Sequence, residues 1–169
     1  TNDRHYVQVA ETHANTTIKN HFRDDYSTYH LVNYDPQTGK VLGRQTHQGK
    51  ADESMWARGE AWALYGFTMM YDRTEMTEFL TQAENIARIV LRRLPEDGIP
   101  YWDFDSDKIP DELKDASAAA IMASAFARLS ALSNDSELSV SCLDMAKKQV
   151  LRLCSEDYLS KEGENGDFL

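Results

Sequence analysis

Polar and apolar positions along this chain alternate between two kinds of helix. Asp3 to Phe22 reads as an amphipathic helix, with Tyr6, Val9, Ala10, His13, Thr17 and Ile18 on its apolar side. Glu53 to Tyr71 differs: apart from Arg58 and Glu60 its middle carries no charge. A helix apolar all round is buried all round, and Asp52 or Ser54 stands ready to cap its start. Glu75 to Leu94 shows one stripe (Met76, Phe79, Leu80, Ala83, Ile86, Ala87, Val90, Leu91, Leu94) opposite Glu78, Gln82, Glu84 and Arg88, so it is half exposed. Ser117 to Leu132 is again nearly uncharged and rich in alanine, which predicts burial on both sides. Glu137 to Leu153 is amphipathic through Leu138, Val140, Leu143, Ala146, Val150 and Leu153, and Ser155 to Leu169 has no usable period.

Two long stretches lack a helical period. Within Arg23 to Ala51, the runs Tyr29–Tyr34 and Val41–Gln45 flank Asp35-Pro36-Gln37-Thr38-Gly39, which predicts a hairpin. Leu94 to Asp115 is the second stretch. Each leads into a buried helix, and loops of this length inside a compact domain are usually functional. The predicted fold is therefore all-α: about five alternating outer and inner helices, plus a short β-hairpin in a long loop. That alternation is what part of a double-layered α/α barrel requires, with both loops at one end. No fixed repeat supports a stacked solenoid. Because the chain opens on an exposed helix with no buried partner before it, residues 1–169 are expected to be a single-domain fragment of a larger barrel, lacking its N-terminal and C-terminal parts.

Composition narrows the function. The formal charge of −10 and pI near 4.9 argue against nucleic acid, which needs a basic surface. They leave room for an anionic ligand, since one arginine in a cleft outweighs a distant acidic surface. Cys142 and Cys154 match no metal or disulfide spacing, and no apolar run approaches a membrane span. With no signal-peptide pattern in view, a reducing, cytoplasmic location is expected.

Four groups converge at the loop end: His30, the segment Thr46-His47-Gln48-Gly49, Arg58 with Trp62, and Tyr101 to Asp105. Arg58 and Trp62 are i, i+4 neighbours. A buried guanidinium needs an anion, and Glu60, roughly 160° away around the helix, cannot supply it. Two readings follow. Arg58 binds the carboxylate of a sugar acid whose ring stacks on Trp62, or Asp103, Asp105 or Asp115 pins Arg58 and Trp62 is core. Asp103 and Asp105 are spaced as a general acid–base pair, but such acids more often hold backbone amides or caps, and that is the reading adopted. His5, His13 and His21 carry no metal-ligand spacing, so no metal is expected.

The order of short motifs resembles one family. Ser27-Thr28-Tyr29-His30, Tyr34-Asp35-Pro36 with Gly39, Thr46-His47-Gln48-Gly49 and Ser54-Met55-Trp56-Ala57-Arg58-Gly59 before Ala61-Trp62 resemble unsaturated glucuronyl hydrolases, glycoside hydrolase family 88. Pro95-Glu96-Asp97-Gly98, Tyr101-Trp102-Asp103-Phe104 and Asp115-Ala116-Ser117-Ala118 continue the match. The resemblance implies an α/α barrel of six inner and six outer helices. It also implies hydration of the C4=C5 bond of an unsaturated glucuronic acid left on glycosaminoglycan oligosaccharides by a lyase, with no metal or organic cofactor. His30, Gln48, Arg58 and Trp62 match family residues that line the substrate site. The two catalytic aspartates of the family belong to segments upstream of Thr1, so the chain alone is expected to be inactive. Glu60 stands where the family usually has Gln, and Ala116 where Ser is common. The related unsaturated rhamnogalacturonyl hydrolases, acting on pectin fragments, are one alternative. A non-catalytic helical interaction module is another.

Overall fold

The computed structural model describes residues 4–159; the predicted first residue of the opening helix, Asp3, and the tail from 160 onward lie outside them. Five helices and one hairpin follow in order: α1 Arg4–His21, β1 Leu31–Tyr34, β2 Val41–Gln45, α2 Ala57–Thr74, α3 Thr77–Arg93, α4 Ala116–Leu132 and α5 Ser136–Leu153. The predicted hairpin is present, its second strand as expected and its first starting at Leu31 rather than Tyr29; the strands are antiparallel, with Leu31 opposite Gln45 and a bulge at Asn33/Tyr34. Its turn forms because Asp35 accepts the amides of Gln37 and Thr38 on one side-chain oxygen, while Gly39 takes φ 68°.

Two helical hairpins make the body. The inner helices α2 and α4 pack side by side, α3 backs α2, and α5 backs α4 while also touching α3. Alanines of α2 and α4 (Ala57, Ala61, Ala118, Ala119, Ala125) are fully buried, so the inner helices approach closely. Leu64, Phe79, Ile86, Met122, Phe126 and Leu129 fill the space behind them. The connections are short. Glu75, at φ 57°, closes α2 by donating its backbone N–H to Tyr71 O, and Asp135 caps α5 through the amides of Glu137 and Leu138. Arg88 of α3 holds the other oxygen of Asp135 at 2.8 Å, which ties the outer layer to the turn of the second hairpin. The inner/outer alternation is therefore that of an α/α barrel.

Several predicted details are corrected. Helix α2 starts at Ala57 rather than Glu53, and neither Asp52 nor Ser54 caps it. Trp56, just before it, is extended, and the Ala57 amide donates to the Trp102 carbonyl at 3.1 Å. Nor is α2 buried all round: Trp62 is 54% exposed, and Arg58, Tyr65 and Met69 share that open face. α4 likewise leaves Ser117, Ala120, Ser124 and Ala127 exposed. On α1 the apolar side is largely exposed, including Tyr6 and Val9, and Ala14 is its one buried residue. The buried face of α5 runs through Leu138, Cys142, Ala146 and Gln149, leaving Val140, Leu143 and Val150 outside. Gln149 turns inward because its amide donates to the Gly98 carbonyl at 2.9 Å. Gln82 of α3, expected on the wet face, is also buried.

Phe126 is fully enclosed in the cluster that joins both layers. Phe126→Ala should cost about 3–5 kcal/mol through lost burial and the cavity left behind. A urea titration of the chain, read at unchanged m-value, measures it.

Candidate active-site cleft

The two long loops meet in front of the inner helices. Lys50 donates its amide to Asp103 Oδ2 at 2.8 Å, Trp56 and Asp103 form an antiparallel bridge, and Phe104 donates to the Met55 carbonyl at 3.0 Å. His30 and Trp102 therefore lie at the same end of the helices, as the sequence predicted. Gly49 is required by this closeness: a Cβ there would lie 2.6 Å from Thr46 Oγ1 and 3.3 Å from Asp103 Oδ2.

Asp103 and Asp105 are fasteners. Asp103 is fully buried; Oδ2 also accepts the Ser54 hydroxyl at 2.7 Å, and Oδ1 accepts the Asp105 amide at 2.9 Å. Asp105 accepts the Met55 amide at 2.8 Å and Arg93 at 2.7 Å. Burial works against its charge, but the bonds from Arg93 and Met55 outweigh it and hold the carboxyl below its ordinary range. The spacing that suggested an acid–base pair serves backbone amides instead.

The four predicted binding residues are brought to this end by different routes. His30 follows a turn in which Arg23 donates to the Thr28 carbonyl at 2.7 Å and stacks on Tyr29. Its Nδ1 faces the Thr46 hydroxyl at 3.1 Å and the amides of His47 and Gln48 at 3.2 and 3.3 Å. Gln48 thus reaches His30 through its backbone, and its side chain is exposed. Arg58 pairs through Nε with Asp115 Oδ2 at 3.0 Å, while Asp115 Oδ1 caps α4 by accepting the Ala118 amide. Asp115 is thus the partner among the three aspartates weighed. The Arg58 side chain nevertheless stays 42% exposed, against 4% for that of Asp115. Trp62 is not core: it stands on the open face of α2, edge-on to Tyr65.

Trp56 joins these groups, and the sequence reading assigned it no such role. Its ring stacks on His30 at 4.2 Å between centroids, and Arg58 lies 5.7 Å from the same ring. The signal available was an aromatic one residue before the helix and two before the arginine. A cavity of about 540 Å³ opens between α1 and α2, with Tyr29, His30 and Trp56 at one end and Trp62, Gly66 and Met70 along α2. Arg58 and Gln48 stand outside its lining.

Glu60 points away from Arg58, as expected, and is fully buried. Oε2 accepts the Thr28 amide at 2.9 Å and its hydroxyl at 3.0 Å, while Oε1 has no hydrogen-bond partner among the described residues. Desolvation raises its carboxyl to about 7, against the pull of the Thr28 bonds.

A two-layer helical barrel whose inner helices receive long loops bearing an arginine, tryptophans and a histidine is the architecture of an α/α-barrel glycosidase. No protein-family model matches the chain. It is 45% identical to an unsaturated glucuronyl hydrolase of Formosa agariphila over 169 residues, 99% of this chain and 41% of that protein. To an unsaturated glucuronyl hydrolase of a Bacillus species it is 34% identical over 170 residues, covering 100% of this chain and 45% of the other. Among solved structures, an unsaturated glucuronyl hydrolase specific for heparin superimposes with a TM-score of 0.92 at 46% identity, over 97% of this chain and 44% of that one. The chain is thus a homologue of the unsaturated glucuronyl hydrolases along its whole length, and it spans less than half the length of these relatives.

Glu60 gives this region a measurable pH signature. Its folded value, about 7, lies above the ordinary 4.5, so between these limits the folded state holds one proton more than the unfolded. The stability it contributes is complete below pH 4.5 and is lost as pH rises through 7, by about 1.4 kcal/mol per unit. Glu60→Gln, which keeps an acceptor for Thr28 and cannot ionise, should remove that slope. Chemical denaturation of both proteins at pH 5 and pH 8 tests this, and equal losses in the two would reject it.

Proposed function

We propose that this chain supplies one wall of the active site of an unsaturated glucuronyl hydrolase. The reaction is hydration of the C4=C5 bond of an unsaturated glucuronic acid at the non-reducing end of a lyase-cut glycosaminoglycan oligosaccharide. An enol ether accepts a proton at C4, water adds at C5, and the resulting hemiketal opens and releases the remaining sugar. The observation that carries this reading is the open face of α2. Arg58 is held by Asp115 through Nε alone and presents the rest of its fork beside the exposed Trp62. In this reading Arg58 takes the uronate carboxylate, Trp62 stacks on a sugar face, and His30 and Gln48 supply polar contacts. The names borne by the matched relatives support the glucuronyl substrate over its pectin-derived counterpart.

Asp103 and Asp115 beside this wall are both consumed in fold contacts, Asp103 by amides and a hydroxyl and Asp115 by Arg58 and α4. Proton transfer is therefore assigned to carboxylates outside this chain, which on its own should show no turnover. Loss of the double-bond absorbance of an unsaturated disaccharide reports it, and robust turnover by the purified chain would overturn the assignment.

In the complete enzyme Arg58→Ala removes a charge-assisted contact of about 1.5–3 kcal/mol. That is roughly ten- to a hundred-fold in kcat/KM. The fold should survive, because Asp115 keeps its bond to the Ala118 amide. Paired kinetics and thermal melts check this, and a large fall in Tm with normal kinetics would make Arg58 structural only.

A further inference from the structure

Three hydrogens converge on one atom of His30. The amides of His47 and Gln48 point at Nδ1, and an amide can only donate. Thr46 Oγ1 accepts the Gly49 amide at 2.7 Å, which leaves its own hydrogen free for Nδ1 at 3.1 Å. An imidazole nitrogen that receives these donors must offer a lone pair, so the ring proton resides on Nε2. Protonating Nδ1 would set an N–H against two fixed N–H groups. Nε2 has no hydrogen-bond partner among the described residues, and the ring lines the cavity between α1 and α2. Trp56, stacked at 4.2 Å, fixes the ring plane.

We infer that the turn Thr46–Gly49 locks His30 as the neutral Nε2–H tautomer, with Thr46 a positioning residue that makes His30 a hydrogen-bond donor, not a base, toward an oxygen of the bound sugar. The tautomer follows from this chain alone; its role toward the sugar rests on the function proposed above. Charged and titratable groups reach this site from several elements, and His13 and His21 of α1 line the same cavity as the ring. His47 lies on the same turn, Asp52 accepts the Thr46 amide at 2.8 Å, and Arg58 lies on the α2 side, near the Trp56 ring. Burial first, and His47 second, push the imidazole below its ordinary range, in line with the geometry.

Long-range ¹H–¹⁵N spectra of the labelled chain read the tautomer directly. His30 should show an unprotonated Nδ1 and a protonated Nε2, and should keep that pattern at a pH where a free histidine, near 6.5, is half charged. Thr46→Val should mix the tautomers and move the titration toward 6.5, and Thr46→Ser, which restores the hydroxyl, should return both. In the complete enzyme Thr46→Val should lower kcat/KM about tenfold, the loss of roughly one hydrogen bond, and shift the acidic limb of the pH profile upward. Thr46→Ser should reverse both effects. An Nδ1–H signal in the unaltered chain would overturn the lock, and Thr46→Val spectra identical to those of the unaltered chain would overturn the part assigned to Thr46. Intact spectra with kinetics indifferent to Thr46→Val would overturn the positioning role. An unaltered complete enzyme that fails on unsaturated disaccharides while the spectra hold would instead sink the proposed function.

Discussion

A single buried carboxylate holds the working end of this structure together. Asp103 has no exposure, and its two oxygens take the Lys50 amide, the Ser54 hydroxyl and the Asp105 amide. Those donors come from the end of the first long loop, the segment that opens α2, and the second loop. A charge moved out of water is tolerated only when donors replace its hydration, so all three segments must be in place at once. Gly49, which leaves room for that oxygen, is part of the same constraint.

The same economy governs the other acids. Asp115 caps α4 with one oxygen and steadies Arg58 with the other, so the start of one inner helix sets the side chain of its neighbour. Glu60 anchors Thr28, two residues before His30, to the first turn of α2. Burial at that position favours the neutral acid, which makes a glutamine the near-isosteric alternative. These acids thus fix neighbouring segments, while Arg58, Trp62 and His30 keep part of their side chains outside the packed core.

The helical layers were legible because burial imposes a period. The stripe from Phe79 to Val90 and the nearly uncharged run of α4 report which layer each helix occupies, and the structure agrees. The hairpin was legible through Asp35 and Gly39, whose turn chemistry is local. Three things were not. Trp56 stacks on His30 across 26 positions, a pairing no local pattern records. Gln149 and Gln82 look like surface residues until a long-range partner or neighbouring helix encloses them. The open faces of α1 and α2 were read as closed, because hydrophobic character shows that a face favours burial and not that a neighbour is present.

By itself, then, the sequence determined the alternation of layers and the hairpin, set by spacing along one element, and the residues gathered at the loop end, set by the order of loops and buried helices. The tertiary structure decided which aspartate meets Arg58, that Asp103 and Asp105 are fasteners, and which nitrogen of His30 holds its proton. Those outcomes depend on angstrom-scale distances between segments far apart in the chain, where the choice among equivalent carboxylates or ring nitrogens is made by which donors the packing brings within reach.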